Sequence, residues 1–407
     1  MTHAIHDFTA KLRQPTVLPG VAAYVQWRRA LARARAEGRP DPPPPPIAPI
    51  SINLDLTTAC NYRCDHCIDW DILNTKHRHS DAALRASLEQ MAARGLRSVI
   101  LIGGGEPTLY PGFADFTGFL KGLGLQVAVV SNGSRGDRLL GAAAHLGPGD
   151  WIRLSLDSGS NELFRAMHKP VSKDLTLDSI CEWVQEIKAR HPGLRVGFSF
   201  IIVWSGASRD EVGLHENIHE IVLATERARR YGFDYISLKP VLERAPDGAE
   251  VMDPTRARVA FEAVVARIRA AVDEAKGLAR EGFEVYESTN LRVLEQGNWK
   301  DFTRQPRTCH MQALRQVLTP MGLFNCPAHR GVEKARIAGA EAWRDAEAAD
   351  RTNAALAALL DRFDASVECR EVTCLYNPVN WWLEKMIEDP REDLAIEPGD
   401  ERLDFFL

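Results

Sequence analysis

Three thiols stand at Cys60, Cys64 and Cys67, a C-x3-C-x2-C spacing on a short loop just after the apolar run Ile52 to Leu56. Three soft ligands so close together can hold three irons of a cubane cluster and leave the fourth iron without a protein ligand. Zinc is the competing reading, because His66 lies between Cys64 and Cys67. A closed zinc site wants four ligands, however, and His66 would crowd the loop if it reached the same ion. A second group, Cys309, Cys326, Cys369 and Cys374, lies near the far end of the sequence. Four thiolates suit either a four-iron cluster or a structural zinc. The eighth cysteine, Cys181, sits alone in the helical pattern Ile180-Cys181-Glu182-Trp183-Val184 and reads as a buried core thiol.

The chain that must position these thiols has 407 residues, of which 45% are hydrophobic, enough for a large core and two or three domains. A net charge of -5 argues against a nucleic-acid backbone as partner. No apolar run reaches the length of a membrane span, and Met1 to Gly20 lacks the apolar segment of a secretory signal. A cytoplasmic protein is expected, and there eight cysteines serve metals better than disulfides.

Residues 1–48 hold one helix, Val21 to Glu37, and the polyproline strap Pro42 to Pro46. From 49 to 240 strands and helices alternate. The strands are Ser51 to Leu56, Ser98 to Ile102, Gln126 to Ser131, Trp151 to Leu156, Arg195 to Val203 and Tyr235 to Leu238. Repeated βα units with right-handed crossovers give an α/β fold with a parallel sheet, and six strands suggest a partial (β/α)6 barrel. Functional groups then collect at the carboxyl ends of the strands. The cysteine loop follows the first strand, Gly103 to Pro107 the second, Ser131-Asn132-Gly133 the third and Ser155-Leu156-Asp157 the fourth. Residues 241–305 read as a connection, with a helix in Met252 to Gly282 and a strand at Phe283 to Tyr286. Residues 306–385 read as a small α+β domain with a hairpin, Arg315 to Pro320 and Leu323 to Asn325, then a helix from Ala338 to Phe363. Residues 386–407 form an acidic tail.

The C-x3-C-x2-C loop after the first strand, paired with Gly104-Gly105-Glu106-Pro107 after the second, closely resembles the radical S-adenosylmethionine (SAM) enzymes over about residues 49 to 240. The resemblance implies that Cys60, Cys64 and Cys67 ligate a [4Fe-4S] cluster whose open iron is chelated by SAM. It implies further that reduction by a donor such as flavodoxin or ferredoxin releases a 5'-deoxyadenosyl radical. Gly104, Gly105 and Glu106 match the motif that holds the SAM amino group, where glycine lets a carbonyl approach and a carboxylate suits an ammonium. His66 takes the place of an aromatic that packs near adenine. Asn132, Ser155 and Asp157 resemble strand-end contacts to the SAM ribose or carboxylate, and Arg165 is a candidate to neutralise the methionyl carboxylate or to form a surface ion pair. The four late cysteines, with Gly322 ahead of Cys326, resemble the auxiliary-cluster domains called SPASM and twitch and imply one second [4Fe-4S] cluster, with zinc as the alternative.

A second cluster suits an electron acceptor, so the expected reaction is a two-electron oxidation of a substrate radical. Peptide-modifying relatives often carry an N-terminal leader-binding domain, and only 48 residues precede the core here. That favours a small polar metabolite, such as a sugar, nucleotide sugar or aminocyclitol, over a ribosomal peptide. A redox-neutral epimerase and a non-catalytic iron-sulfur or zinc protein are the other readings. Lys239 at the last strand end could meet an anionic substrate group. Arg304, Arg307, Arg315, His329 and Arg330, around the second thiol group, could bind phosphate or carboxylate.

Overall fold

The structure is a computed structural model that describes residues 8–209, 212–245, 247–252, 260–391 and 395–399. Residues 253–259 of the expected helix Met252 to Gly282, and 392–394 and 400–407 of the acidic tail, lie outside the described residues. The strands of the main sheet are β1 (Ser51–Leu54), β2 (Ser98–Leu101), β3 (Gln126–Ser131), β4 (Trp151–Ser155), β5 (Arg195–Ile202) and β6 (Tyr235–Pro240). They continue through β7 (Glu284–Glu287), β8 (Arg315–Thr319), β9 (Gly322–Phe324) and β10 (Arg336–Ala338). Their order across the sheet is β7-β6-β5-β4-β3-β2-β1-β8-β9-β10.

The six expected core strands run parallel and in sequence order. Two more parallel strands flank them, β7 beside β6 and β8 beside β1. The hairpin expected in a separate C-terminal unit therefore extends the core sheet, with β9 and β10 added antiparallel at its edge. Pairing of Ser51 to Leu54 with Arg315 to Leu318 gives β1 a partner on both sides.

Side-chain alternation along the strands gives the sheet two different faces. Ile52, Val99, Val127, Ile152, Phe198 and Leu238 point to the helix side and are fully buried. Each such side chain contributes about 1.5–3 kcal/mol when removed from water. The other face carries Ser51, Asn53, Arg153, Ser155, Ser199, Ser237 and Lys239, held in lateral register across the strands. A separate small apolar patch, Ile100 and Ala128 with Ile102, Val130 and Trp151, lies on this face apart from the main core.

The covering helices are α1 (Leu18–Ala36), α2 (Asp81–Ala93), α3 (Phe113–Gly122), α4 (Gly136–Ala143), α5 (Asn161–His168), α6 (Leu177–Arg190) and α7 (Ile221–Arg230). After them come α8 (Phe261–Lys276), α9 (Thr289–Gln296), α10 (Ala346–Arg362) and α11 (Asn377–Glu388). Short polar side chains start several of them: Ser80 accepts from Ala83 N, Ser160 from Leu163 N, and Thr176 with Ser179 forms a capping box. α10 begins eight residues later than the expected Ala338, because residues 336–338 pair with β9 and Asp345 caps the helix through Ala348 N. α7 starts at Ile221, just after Glu220 turns its carboxylate to the Gly159 and Ser160 amides. Cys181 is fully buried in α6. The proline strap crosses α1, where Trp27 Nε1 donates to the Pro42 carbonyl at 3.1 Å. Among the described residues, no helix is long and apolar enough to cross a membrane.

Candidate active site

The cysteine loop lies beyond the carboxyl end of β1 and is tied down on both sides. Arg63 N donates to His168 O at 3.1 Å, Asp65 N to Met167 O at 3.2 Å, and Arg209 Nη1 to Cys64 O at 3.1 Å. On the opposite side Tyr62 donates its hydroxyl to Asn132 O at 3.2 Å, and Asn132 Nδ2 donates to Asn61 Oδ1 at 3.0 Å. All three loop thiols are free. Burial pushes Cys67 up to about 12, with Asp69 adding to the effect, and drives Cys64 well above the usual thiol range, the other two thiols adding to it. Such thiols keep their protons unless a cation takes the protons' place, which fits a metal-bound set.

The loop after β2 is glycine-rich because it is packed against the cysteine loop. A Cβ on Gly105 would stand 2.5 Å from Thr57 O and 2.6 Å from Ala59 O, and Glu106 N donates to Ala59 O at 2.8 Å. A Cβ on Gly104 would meet Ile72 Cδ1 at 2.7 Å and Asp55 Oδ2 at 3.0 Å. Glu106 is buried, and its Oε1 accepts from Thr108 N, Thr108 Oγ1 and Ser131 Oγ, while Oε2 accepts from Asn132 N at 2.7 Å. Burial raises its carboxyl, although these donors favour the ionised form. Its visible role is to lock the ends of β2 and β3 together.

Asp157 follows β4 in a left-handed conformation, φ +50°, which aspartate tolerates better than most residues. Its Oδ2 faces His66 Nε2 at 3.0 Å and its Oδ1 accepts from Ile201 N at 2.7 Å. Burial alone would raise Asp157, but the His66 hydrogen bond, the two imidazoles and the Ile201 amide outweigh it and hold the carboxyl below its usual range. His168, at the end of α5, completes the group. Its Nε2 faces Leu156 O at 2.9 Å and Asp157 Oδ2 at 3.5 Å. With two acceptors before it, Nε2 carries the proton, and Nδ1 offers a lone pair to Cys64 Sγ at 3.2 Å. Burial lowers His168 to about 4, so it is neutral. His66, Asp157 and His168 form a hydrogen-bonded support under the cysteine loop; the His66 nitrogen aimed at Asp157 is committed there.

The structure brings the four late thiols to one place. Cys309, Cys326, Cys369 and Cys374 line one cavity with Arg315, His329 and Tyr376. Asn380 Nδ2 donates to Cys309 Sγ at 3.3 Å, and His329 Nε2 stands 3.5 Å from Cys369 Sγ. Burial raises every one of these thiols, Cys326 to about 12, and mutual repulsion adds to it for Cys326, Cys369 and Cys374. Among the described residues, no three thiol sulfurs lie within 4.8 Å of one another.

Arg165 is not brought to the site: it is exposed on α5 and donates to Lys173 O at 2.9 Å. Ser155 stays on the open face of β4, level with Ser199. Of the late basic residues, Arg315 donates to Ser51 Oγ and Asn53 Oδ1 in the sheet, and Arg330 pairs with Asp55 at 3.2 Å and Asp69 at 2.5 Å. Arg307 turns to Asp361 O and Asp364, and Arg304 is exposed. Arg330 also reaches Gly103 O at 3.3 Å, so it joins the C-terminal segment to the glycine loop. Sequence reasoning missed His168 and Arg153, and it named Arg330 for the surroundings of the second thiol group without its pairing to Asp55 and Asp69. Each sits in an unremarkable local pattern and acquires a role only through partners distant in the chain.

Residues 54–218 match the sequence model of the radical SAM superfamily. A 108-residue stretch is 38% identical to a protein of Thermoplasmatales archaeon (strain ISO4-H5) named S-adenosylmethionine-dependent nucleotide dehydratase, covering 26% of this chain and 38% of that one. A protein of the same name from Lacinutrix mariniflava (strain JCM 13824 / KCCM 42306 / AKS432) is 32% identical over 144 residues, 32% of this chain and 29% of that one. The match thus spans well under half of these relatives. In fold, the chain resembles Streptococcus suis SuiB bound to S-adenosylmethionine, with TM-score 0.53 and 15% identity over 78% of this chain and 69% of that one. It also resembles anSMEcpe with bound AdoMet, with TM-score 0.53 and 13% identity over 86% and 93%.

Proposed function

We infer, from a chain that carries a radical SAM superfamily domain over residues 54–218, that it is an enzyme using SAM and an open-site [4Fe-4S] cluster to oxidise a small polar metabolite. The observation that carries the reading is the packing of the three-thiol loop directly against the Gly104-Gly105-Glu106 loop at the carboxyl ends of β1 and β2. Cys60, Cys64 and Cys67 would hold the cluster, and the backbone of Gly104 and Gly105, with Asn132, would line the SAM site. When bound, the two cofactors supply a 5'-deoxyadenosyl radical that removes a hydrogen atom from substrate. The chain's own groups do the positioning. Glu106 fixes the spacing of the second and third strand ends, and the His66, Asp157 and His168 group fixes the cysteine loop from below. Cys309, Cys326, Cys369 and Cys374 would hold a second [4Fe-4S] cluster as electron acceptor, and flavodoxin or ferredoxin would deliver the first electron in the cytoplasm.

The names of the two curated relatives support a small molecule, and a nucleotide in particular, over a peptide. They also raise loss of water as the outcome, which the product distinguishes: oxidation leaves it lighter by two hydrogens, dehydration lighter by water. The test of the reading is anaerobic reconstitution followed by dithionite and SAM. About eight irons per chain and reductant-dependent 5'-deoxyadenosine are expected. A Cys60→Ala, Cys64→Ala, Cys67→Ala variant that still formed 5'-deoxyadenosine would sink the assignment.

A further inference from the structure

We propose that Arg153, Lys239 and the serine row Ser155, Ser199 and Ser237 seat a phosphoryl group of the substrate on the open face of the sheet. The inference deepens the reaction reading above and rests on it for the direction from which the radical arrives.

Strand register puts these groups together. Ser155 pairs with Ser199 and Ser199 with Ser237, so three hydroxyls lie side by side across β4, β5 and β6. One pleat repeat toward the amino ends, in the level of Gly197 and Tyr235, stands Arg153; one repeat the other way, in the level of Ile201, stands Lys239. Gly197 has no side chain because the Tyr235 ring fills its place: a Cβ there would stand 2.1 Å from Tyr235 Cζ. The ring forms a floor at this level, between Arg153 and the row of hydroxyls in strand register.

Neither cation is spoken for. Among the described residues, no carboxylate lies within 4.0 Å of either one, the limit of an ion pair. Arg153 lies 5.0 Å over the Trp151 ring, and Lys239 Nζ reaches only Ser199 Oγ at 3.5 Å. Asp157 is near enough to be felt by Lys239, but its oxygens are taken by His66, His168 and Ile201 N. Burial drives Lys239 well below the usual lysine range, with Arg153 adding to the effect, and burial lowers Arg153 as well. Two buried basic groups with no carboxylate beside them and hydroxyl donors between them are the complement of a dianion with several oxygens, whose charge would offset the burial that lowers them. A phosphate ester meets that description better than a single carboxylate. Seated there, it would lie about two residues, roughly 7 Å, below the strand ends and leave the rest of the substrate reaching up toward the cysteine loop.

The test is calorimetric titration of the reconstituted holoenzyme with pyrophosphate, the four ribonucleoside triphosphates and glucose 1-phosphate, against ribonucleosides, glucose and succinate. Binding of phosphorylated probes over their unphosphorylated or carboxylate counterparts is expected. Arg153→Gln or Lys239→Met should each weaken it by roughly tenfold or more. Tighter binding of a nucleotide than of glucose 1-phosphate assigns a nucleotide substrate, and the reverse a sugar phosphate; both support the seat. Because each variant removes a buried basic group that has no carboxylate partner, its melting temperature should hold or rise. Equal affinity in wild type and both variants, no phosphorylated ligand bound by the folded wild type, or preference for succinate would overturn the proposal. Failure of wild-type protein to form 5'-deoxyadenosine while probe binding persists would instead remove the reaction reading and leave the seat.

Discussion

At the scale of single residues, the site depends on carboxylates that the fold has buried. Glu106 accepts four hydrogen bonds from three residues, so Glu106→Gln would turn an amide donor toward donors. A loss of about 1–3 kcal/mol in urea unfolding is expected, together with reduced 5'-deoxyadenosine formation. A variant with unchanged stability would mean that the four donors are not held as described. Asp55 differs, because burial pushes it up to about 7 despite Arg330 beside it, with Asp69 adding to the rise. The folded chain thus holds that proton more tightly than the unfolded chain, whose carboxyl titrates near 4. Stability from this source is complete below about pH 4 and is lost as pH rises through about 7. Melting temperature should fall across that window in wild type, and fall less in Asp55→Asn; parallel curves would count against it.

Among the elements, the glycine loop after β2 is the one whose shape cannot yield. The atoms a new Cβ on Gly105 would strike are backbone oxygens of Thr57 and Ala59, which have no rotamer to change. Gly105→Ala should therefore push the cysteine loop out of position and cost about 1–3 kcal/mol, with iron content falling toward that of the second thiol group alone. Full iron occupancy in that variant would refute the packing argument. This loop was readable in the sequence, and so were the six core strands, because both announce themselves over a few consecutive residues: thiol spacing, glycine runs, alternation such as Ser51-Ile52-Asn53-Leu54. His168 behind Cys64, Arg330 under Asp55 and Arg153 below the serine row were not readable. Their meaning comes from residues 104, 275 and 44 to 86 positions away, and no local period records such pairings. The docking of β8 was hidden for a related reason, since the hairpin of β8 and β9 satisfies its own local pattern whether or not it joins β1.

For the whole molecule, the continuous sheet means that the two thiol groups share one scaffold, with β1 leading to the first and β8, its neighbour, leading through the hairpin to the second. Replacing Cys369 and Cys374 by serine should drop iron from about eight to about four per chain and stop product formation, while 5'-deoxyadenosine still forms. Unchanged product yield would exclude the second group from electron transfer. The same arrangement bears on how the protein is made. Ser51 pairs with Arg315, 264 residues further along. At about 5–20 residues per second, the ribosome needs tens of seconds to deliver β8 after β1 has emerged. Throughout that interval one edge of β1 is open to any other strand. Asn53 and Asp55, polar groups turned inward on and just after that strand, make it a poor template for a stranger until its own partner arrives.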